Sequence, residues 1–269
     1  MKFTKMQGTG NDYVYINCFE ETVERPEELA VKVSDRHFGI GSDGLILICP
    51  SGQADCRMKM FNADGSESEM CGNGIRCVGK YVYDHHIVEK DEFDVETKAG
   101  IKHLKVTDEG GKAVLITVDM GIPEVTGEVP EPITIDGRSC EFIGISMGNP
   151  HAIYYMDEID GLDLEAMGPA FETHERFPER TNSEFIQVID RSHLRMRVWE
   201  RGSGETWACG TGATASAVAS VLSGRTENTV EVELKGGILS ITWDRESGHV
   251  YMTGPAVEVF QGEFQPENL

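Results

Sequence analysis

Basic residues are scarce in this chain. Its 269 residues include 24 Lys and Arg against 46 Asp and Glu, a formal net charge of −22, and the basic residues form no run. Because binding to nucleic-acid phosphates requires clustered positive charge, this pattern argues against a nucleic-acid partner. We interpret the excess negative charge as an aid to solubility.

Long apolar stretches are also lacking. No segment approaches the roughly 18 consecutive apolar residues that indicate a membrane-spanning helix. The opening MKFTKMQGTGND lacks the apolar core of a signal peptide. We therefore expect no membrane association and a cytoplasmic location.

The cysteines form no framework pattern. They are seven in number, an odd count, with irregular spacing and no C-x-x-C pair. This argues against a disulfide framework or a structural zinc site and is typical of reduced thiols. The neighbouring His85 and His86 have no third ligand at a useful spacing, so we interpret them as surface residues and expect no metal.

What the chain does contain is an internal repeat. The segment MKMFNADGSESEMCGNG at residues 58–74 aligns without a gap with MRVWERGSGETWACGTG at residues 196–212. The shift of 138 positions places Cys209 on Cys71 and matches the glycines that follow each cysteine. Because a sequence repeat corresponds to a repeated structural unit, we predict two similar lobes that each carry one cysteine.

Local patterns predict an α+β fold. Short alternating segments separated by Gly-rich turns indicate strands, while helical spacing appears at residues 26–35, after Cys71 and at residues 164–171. Residues 213–222 are small or apolar nearly all round, which predicts a buried helix. Each lobe should be a curved, mostly antiparallel sheet around one central helix.

The lobe boundary is predicted from clusters of proline and glycine, which interrupt helices and strands. Gly121-Ile122-Pro123 and the nearby GEVPEP segment mark the crossing into the second lobe. We expect one lobe at residues 1–117, with a C-terminal tail at 255–269 returning to it, and a pseudo-symmetric second lobe at residues 118–254.

Each repeat places its cysteine at the start of a helix. A Gly-rich turn there leaves backbone N–H groups without intrahelical partners, attracts anions and favours a thiolate, which lowers a thiol pKa. If the lobes face each other across a pseudo-twofold axis, the two thiols would flank one anionic group. One thiolate could then remove an α-proton while the other thiol protonates the opposite face, and helix-end donors would stabilise the intermediate by about 3–4 kcal/mol each.

The two cysteine motifs occur in a longer ordered set. MCGNG and ACGTG, together with GTGNDY, FNADG, GNPH, RTNSEF and WERGSGET, resemble the diaminopimelate epimerase family from about residue 3 to residue 254. The resemblance implies the fold of that family and a cofactor-independent epimerase that converts LL-2,6-diaminopimelate to the meso form, in lysine and peptidoglycan precursor synthesis. We expect a small-molecule substrate, no cofactor, and a homodimer.

The resemblance also implies roles for particular residues. Cys71 and Cys209 would be the acid/base pair. The carboxylate at the reacting end of the substrate would be bound by the backbone N–H groups of Gly72, Asn73, Gly210 and Thr211. The distal carboxylate would be bound by Asn62, Asn149, Asn182 and Arg201, and the distal ammonium by Glu200. Asn11 would line the cleft, while His151 and Glu200 would adjust the protonation of the thiols. One departure is Gly44, where several family members carry glutamine.

Two other interpretations stay open. A racemase of the same architecture could act on proline or histidine, because the cysteine chemistry is indifferent to the distal group. Arg201 and the three asparagines implied for the distal carboxylate discriminate, since a proline-like substrate offers no distal group for an arginine to bind. Alternatively, the cysteines could merely cross-link in a non-catalytic or thiol-redox protein. By themselves, His151 could be an ordinary loop histidine, the asparagines turn formers, and Glu200 with Arg201 a surface ion pair.

Overall fold

The computed structural model describes residues 1–268; Leu269, the last residue of the predicted C-terminal tail, lies outside them. Within residues 1–268 the chain forms nineteen strands and four α-helices. The predicted α+β class is confirmed. The chain divides into two compact units, Met1–Val118 with the chain from Gly254 onward, and Asp119–Thr253.

The first unit begins with a strand pair and ends with a three-stranded meander. Its elements up to the unit boundary are β1 (Lys2–Gly8), β2 (Asn11–Asn17), α1 (Pro26–Ser34), β3 (Gly44–Cys49), β4 (Cys56–Asn62), β5 (Glu67–Ser68), α2 (Gly72–Asp84), β6 (Glu92–Thr97), β7 (Gly100–Glu109) and β8 (Lys112–Gly121).

The second unit repeats this order after two short strands, each of which pairs with the strand Arg138–Ser146. Its elements are β9 (Glu124–Val125), β10 (Glu131–Ile135), β11 (Arg138–Ser146), β12 (Pro150–Tyr155), α3 (Leu164–Glu172), β13 (Asn182–Val188), β14 (His193–Glu200), β15 (Gly204–Thr206), α4 (Gly210–Leu222), β16 (Thr229–Leu234), β17 (Gly237–Trp243) and β18 (Val250–Gly254). The chain ends in the first unit with β19 (Val257–Glu263) and a 3-10 turn at Pro266–Asn268.

Strand pairing follows one scheme in both units. In the first, β1 and β2 are antiparallel, β2 and β3 parallel, β3 and β4 antiparallel, and β4 and β6 parallel. In the second, β11 and β12, β12 and β13, β13 and β14, and β14 and β16 pair in the same four ways. Antiparallel pairs dominate in each unit, as the sequence predicts.

The repeat extends to the helices. Shifting α2 by 138 positions gives the bounds of α4. In the first unit α2 packs on β1, β2, β7 and β19; in the second α4 packs on β11 to β14, β16 and β17. Residues Ala213–Ser220 of α4 are buried all round, which confirms the predicted buried helix.

Each unit has its own core. In the first, Leu29 and Val33 on the inner face of α1 pack with apolar residues of β2 and β3. In the second, α3 lies against an aromatic cluster that includes Tyr154, Phe185 and Trp199. This close packing holds in place strands that contact α2 and α4, the helices that follow the two repeat cysteines.

One local prediction requires correction. The polar residues 180–183 predict a loop, but Asn182 and Ser183 are buried in β13, where Asn182 pairs with His151. Strand β10 begins at Glu131, inside the Pro-rich segment at residues 127–132, and its Ile133 and Ile135 alternate inward. Among the helices formed by residues 1–268, none has the length and apolar character to cross a membrane.

Candidate active site

Both repeat cysteines are helix N-cap residues. Cys71 precedes α2 and Cys209 precedes α4, each with extended backbone angles. Each sulfur accepts a hydrogen bond from the backbone N–H three residues later, Gly74 N or Gly212 N, at 3.4 Å. The sulfur therefore takes the place that a Ser or Asp oxygen usually takes at a helix start.

The first turn of each helix carries the predicted anion-binding groups. Gly72 and Asn73 open α2, while Gly210 and Thr211 open α4. N–H groups in a first turn have no intrahelical acceptor and point along the helix axis toward its positive end. Each cysteine is thus placed beside a potential carboxylate-binding site.

Asn11 orients the Cys71 thiol. The thiol donates to Asn11 Oδ1 at 3.2 Å, and Asn11 Nδ2 donates to Asp43 Oδ2 at 2.7 Å. Arg36 Nη2 binds the other oxygen of Asp43 at 2.9 Å. Because Asp43 accepts from the amide nitrogen, the amide oxygen of Asn11 is turned toward the sulfur.

A buried arginine, which the sequence analysis did not single out, supports the start of α2. The side chain of Arg76 is fully buried. Its guanidinium donates to the backbone oxygens of Gly72 and Pro255, each at 3.3 Å, and to Thr9 Oγ1 at 3.2 Å. Burial lowers the pKa of Arg76. The arginine ties the β1–β2 turn and the segment before β19 to the first residue of α2.

A chain of side-chain contacts leads to Cys209. Thr211 Oγ1 lies 3.5 Å from the Cys209 sulfur and accepts from Asn149 Nδ2 at 3.4 Å. Asn149 Oδ1 lies 3.1 Å from His151 Nε2, and His151 Nδ1 lies 2.7 Å from Glu184 Oε1. Because a carboxylate only accepts, His151 Nδ1 carries the proton that it shares with Glu184.

Glu184 was missed by the sequence analysis. Its side chain is fully buried, and its Oε2 atom has no hydrogen-bond partner among the residues that the structure describes. Ligand-type atoms of His151, Glu184 and Cys209 all lie within 4.8 Å of one another. The available signal was an acidic residue in the strand NSEFIQV, at a repeat position where the first lobe has the apolar Ile46.

The electrostatics around Cys209 differ from those expected. The helix start was expected to lower the thiol pKa, but burial raises the pKa of Cys209 well above its usual value, and the carboxylates of Glu200 and Glu184 add to the rise. Hydrogen bonds from Thr211 and Gly212 N–H oppose the shift without cancelling it. The expectation of a lowered pKa is therefore wrong for Cys209, because desolvation outweighs the helix end.

Glu200 also has a shifted pKa. Burial raises it, while hydrogen bonds from Thr206 and Cys209 act in the opposite direction. Thr206 Oγ1 lies 2.5 Å from Glu200 Oε1. Glu200 is thus in contact with the cysteine, as its predicted role in tuning the thiol requires.

The cluster around Cys209 has the residue types of a zinc site but is arranged for hydrogen bonding. Two ligands bound tetrahedrally at about 2.0–2.3 Å from zinc would lie roughly 3.3–3.7 Å apart. His151 Nδ1 and Glu184 Oε1 are 2.7 Å apart and are bonded directly to each other. The geometry is that of a proton-sharing network.

Of the residues predicted for the distal end of a substrate, Asn149 and Glu200 belong to the contacts around Cys209. Asn182 and Arg201 make other contacts. Asn182 donates through Nδ2 to Pro150 O and accepts from Arg201 N, each at 2.9 Å. The side chain of Arg201 is exposed and donates to Glu179 O at 3.3 Å. Asn182 therefore positions the backbone of Arg201.

Asn62 lies in the first unit, as the last residue of β4. Its Nδ2 donates to Ser66 Oγ at 3.0 Å. At Gly44 a Cβ atom would overlap the backbone oxygen of Phe61 and approach the Tyr13 ring to 2.8 Å. The departure at Gly44 therefore matches a backbone that leaves no room for a longer side chain.

The sequence was compared with known proteins. A family model described as Diaminopimelate epimerase matches residues 3–126 and 143–259. The diaminopimelate epimerase of Desulfovibrio desulfuricans is 59% identical over 281 aligned positions, which cover 98% of each chain. That of Acetivibrio thermocellus is 58% identical over 280 positions, which cover both chains fully.

Solved structures with the same fold are more distant in sequence. A probable proline racemase from Agrobacterium radiobacter superimposes with a TM-score of 0.75 at 14% identity, covering 98% of this chain and 92% of the other. A hydroxyproline epimerase from Agrobacterium vitis gives a TM-score of 0.74 at 15% identity, covering 97% and 91%. These likenesses show a shared fold.

Proposed function

The chain belongs to the diaminopimelate epimerase family of isomerases, and from this premise we propose that it converts LL-2,6-diaminopimelate to the meso isomer by proton transfer at one α-carbon. The observation that carries the proposal is the pair of N-cap cysteines, Cys71 and Cys209, at equivalent positions of the repeat. The reaction needs one base and one acid, and two thiols of which one is ionised supply both.

The raised pKa of Cys209 supports one assignment of the starting roles. Its thiol keeps its proton at neutral pH because burial and two carboxylates disfavour the thiolate. In this assignment Cys71 gives up the proton that it donates to Asn11 Oδ1, removes the α-proton as the thiolate and becomes a thiol again. Cys209 gives its proton to the opposite face and becomes the thiolate, and the same steps in reverse convert the product back.

The reacting carboxylate would be held by backbone. N–H groups of Gly72, Asn73, Gly210 and Thr211 begin the two helices and offer partial positive charge where the intermediate gains negative charge. Each such donor contributes about 3–4 kcal/mol. Backbone donors suit this role because they cannot lose a proton to a strongly basic carbanion.

The distal end of the substrate would be recognised by side chains. Arg201 is exposed, and Asn182 fixes its backbone at 2.9 Å. A guanidinium binds a carboxylate through two parallel hydrogen bonds. Asn62 and Asn149 would assist with the same carboxylate, and Glu200 with the distal ammonium, while Asn11 and His151 act on the two thiols.

A racemase acting on proline or histidine is the second candidate, favoured by the shared fold of the probable proline racemase. Incubation with LL-diaminopimelate, L-proline and L-histidine under reducing conditions, followed by chiral chromatography, separates the two. We expect turnover of diaminopimelate and no turnover of proline or histidine. Racemisation of either of the latter with comparable kcat/KM would overturn the substrate assignment.

The same proposal covers the cofactor requirement, the location, the oligomeric state and the pathway. We infer that the chain works without pyridoxal phosphate or metal, in the cytoplasm, and as a homodimer that serves lysine and peptidoglycan precursor synthesis. Light scattering during size exclusion should then give about twice the chain mass of 29.7 kDa. A mass near that of one chain at micromolar concentration would contradict the homodimer.

A further inference from the structure

The two cysteines sit in the same backbone setting but in different chemical surroundings. At the repeat position below the helix start, the first unit has Ile46, whose Cδ1 would meet a Cβ at Gly74 at 2.7 Å. The second unit has Glu184, whose Oε1 would meet a Cβ at Gly212 at 2.5 Å. An apolar side chain in one lobe is thus replaced by a fully buried carboxylate in the other.

Burying the Glu184 carboxylate costs free energy, so its presence needs an explanation. Leaving water costs an ionised group several kcal/mol unless it is paired, and an apolar residue fits the same fold position in the first lobe. Within residues 1–268, Glu184 Oε1 lies 2.7 Å from His151 Nδ1, while Oε2 has no hydrogen-bond partner. The stability of the fold therefore does not explain why a carboxylate occupies this position. Glu184 lies at most 4.8 Å from the Cys209 sulfur, which is close enough for its charge to act on that thiol.

We propose that Glu184 is a positioning residue of the reaction, which orients the His151 ring through Nδ1 and, by its charge, holds Cys209 as the proton-donating thiol. The part of this inference that concerns catalysis rests on the proposed function. It names a residue outside the cysteine motifs as one source of the chemical difference between the two lobes.

The other charged groups near Cys209 come from neighbouring strands. His151 lies on β12 and Glu200 ends β14, while α4 itself contains no ionisable residue. Strand β17 has none either, and Glu231 and Glu233 on β16 are exposed. Arg138, Cys140 and Glu141 on β11 lie outside its buried stretch, Phe142–Ile145. Glu184 and Glu200 are therefore the anionic groups that act on this thiol.

Three variants separate charge from packing. Glu184→Gln keeps an oxygen for His151 and removes the charge, Glu184→Asp keeps the charge and alters the packing, and Glu184→Ile installs the residue of the first lobe. Site-specific alkylation by iodoacetamide at pH 7.5 without substrate, read by peptide mass spectrometry, reports the thiolate fraction of each cysteine.

A unit charge within 4.8 Å should shift the thiol equilibrium by at least tenfold. We expect Glu184→Gln and Glu184→Ile to accelerate alkylation of Cys209 at least tenfold, Glu184→Asp to change it less than threefold, and Cys71 to react at the wild-type rate in all three. The alkaline limb of kcat/KM for diaminopimelate should move about one pH unit lower in Glu184→Gln.

Equal acceleration in Glu184→Gln and Glu184→Asp would show that packing, not charge, is responsible, and an unchanged rate in Glu184→Gln would also overturn the proposal. Because alkylation is measured without substrate, its outcome is independent of the proposed epimerase activity. If alkylation responds as expected while no variant or wild type turns over diaminopimelate, the proposed function fails and the role of Glu184 toward Cys209 stands.

Discussion

Replacing Gly212 by alanine tests the geometry around Cys209 with a single methyl group. The new Cβ would lie 2.5 Å from Glu184 Oε1 and 3.2 Å from the Cys209 sulfur. Since Cβ contacts below 3.0 Å essentially do not occur, the carboxylate must retreat by about half an ångström. The hydrogen bond between Glu184 and His151, now 2.7 Å long, would then lengthen to about 3.2 Å, the upper end of the normal range.

The size of the effect follows from that hydrogen bond. A charge-assisted hydrogen bond contributes about 1.5–3 kcal/mol, and loss of roughly half of it in the transition state lowers the rate about tenfold. We therefore expect kcat of Gly212→Ala to fall about tenfold, measured as conversion of LL-diaminopimelate to the meso form under reducing conditions, with a cooperative thermal transition retained.

The repeat supplies the control. At Gly74 the added Cβ would meet Ile46 Cδ1 at 2.7 Å and Met58 Cε at 3.2 Å, both at the ends of flexible side chains that can move. Alanine also favours a helix by about 1 kcal/mol over glycine. Gly74→Ala should therefore lose clearly less activity and unfold at the same or a higher temperature. Equal losses in the two folded variants, or no loss in Gly212→Ala, would refute the reasoning.

Three further predictions concern specificity, stability and reactivity. Arg201→Ala should lower kcat/KM for diaminopimelate by about tenfold or more and leave a monoamino analogue unaffected, with Arg201→Lys rescuing in part; equal losses for both substrates would show that Arg201 does not bind the distal carboxylate. Burial raises the pKa of Cys77 from 9.0 to about 11, so its contribution to stability is complete below pH 9 and is lost as the pH rises to 11, by up to about 1.4 kcal/mol per pH unit. Urea unfolding from pH 8 to 11 should therefore be less pH-dependent in Cys77→Ala than in wild type, and an identical slope would contradict this. A hydrogen bond from Cys18 lowers the pKa of Cys49 to about 7, whereas burial raises the pKa of Cys56 to about 12. At pH 7.5 iodoacetamide should therefore modify Cys49 well before Cys56. The reverse order would contradict this prediction.

The helix starts could be predicted from sequence because local chemistry determines them. A glycine-rich turn before an apolar segment specifies a helix N-terminus whatever it packs against, and both α2 and α4 begin directly after their cysteines. The repeat added the second prediction, since Cys209 aligns with Cys71 without a gap. The α+β class follows from the same short-range signals.

The surroundings of Cys209 could not be predicted in the same way. Glu184 is 25 residues before the cysteine in sequence and reaches it only because β13 packs beneath α4. The rise in the pKa of the Cys209 thiol is set by burial, a property of the folded chain that a motif does not contain. The burial of Asn182 in β13 was missed for the same reason, because its pairing with His151 on β12 is long-range.

The most direct test of the two-base account is α-proton exchange in deuterium oxide. LL-diaminopimelate incubated with the reduced protein should lose its α-proton to solvent while meso product carrying deuterium appears, as followed by proton NMR and chiral chromatography. Cys71→Ala and Cys209→Ala should each abolish epimerisation, whereas Cys77→Ala, which removes a buried thiol of the same helix α2, should retain it. Epimerisation at near wild-type rate by a folded Cys71→Ala or Cys209→Ala variant would contradict the account.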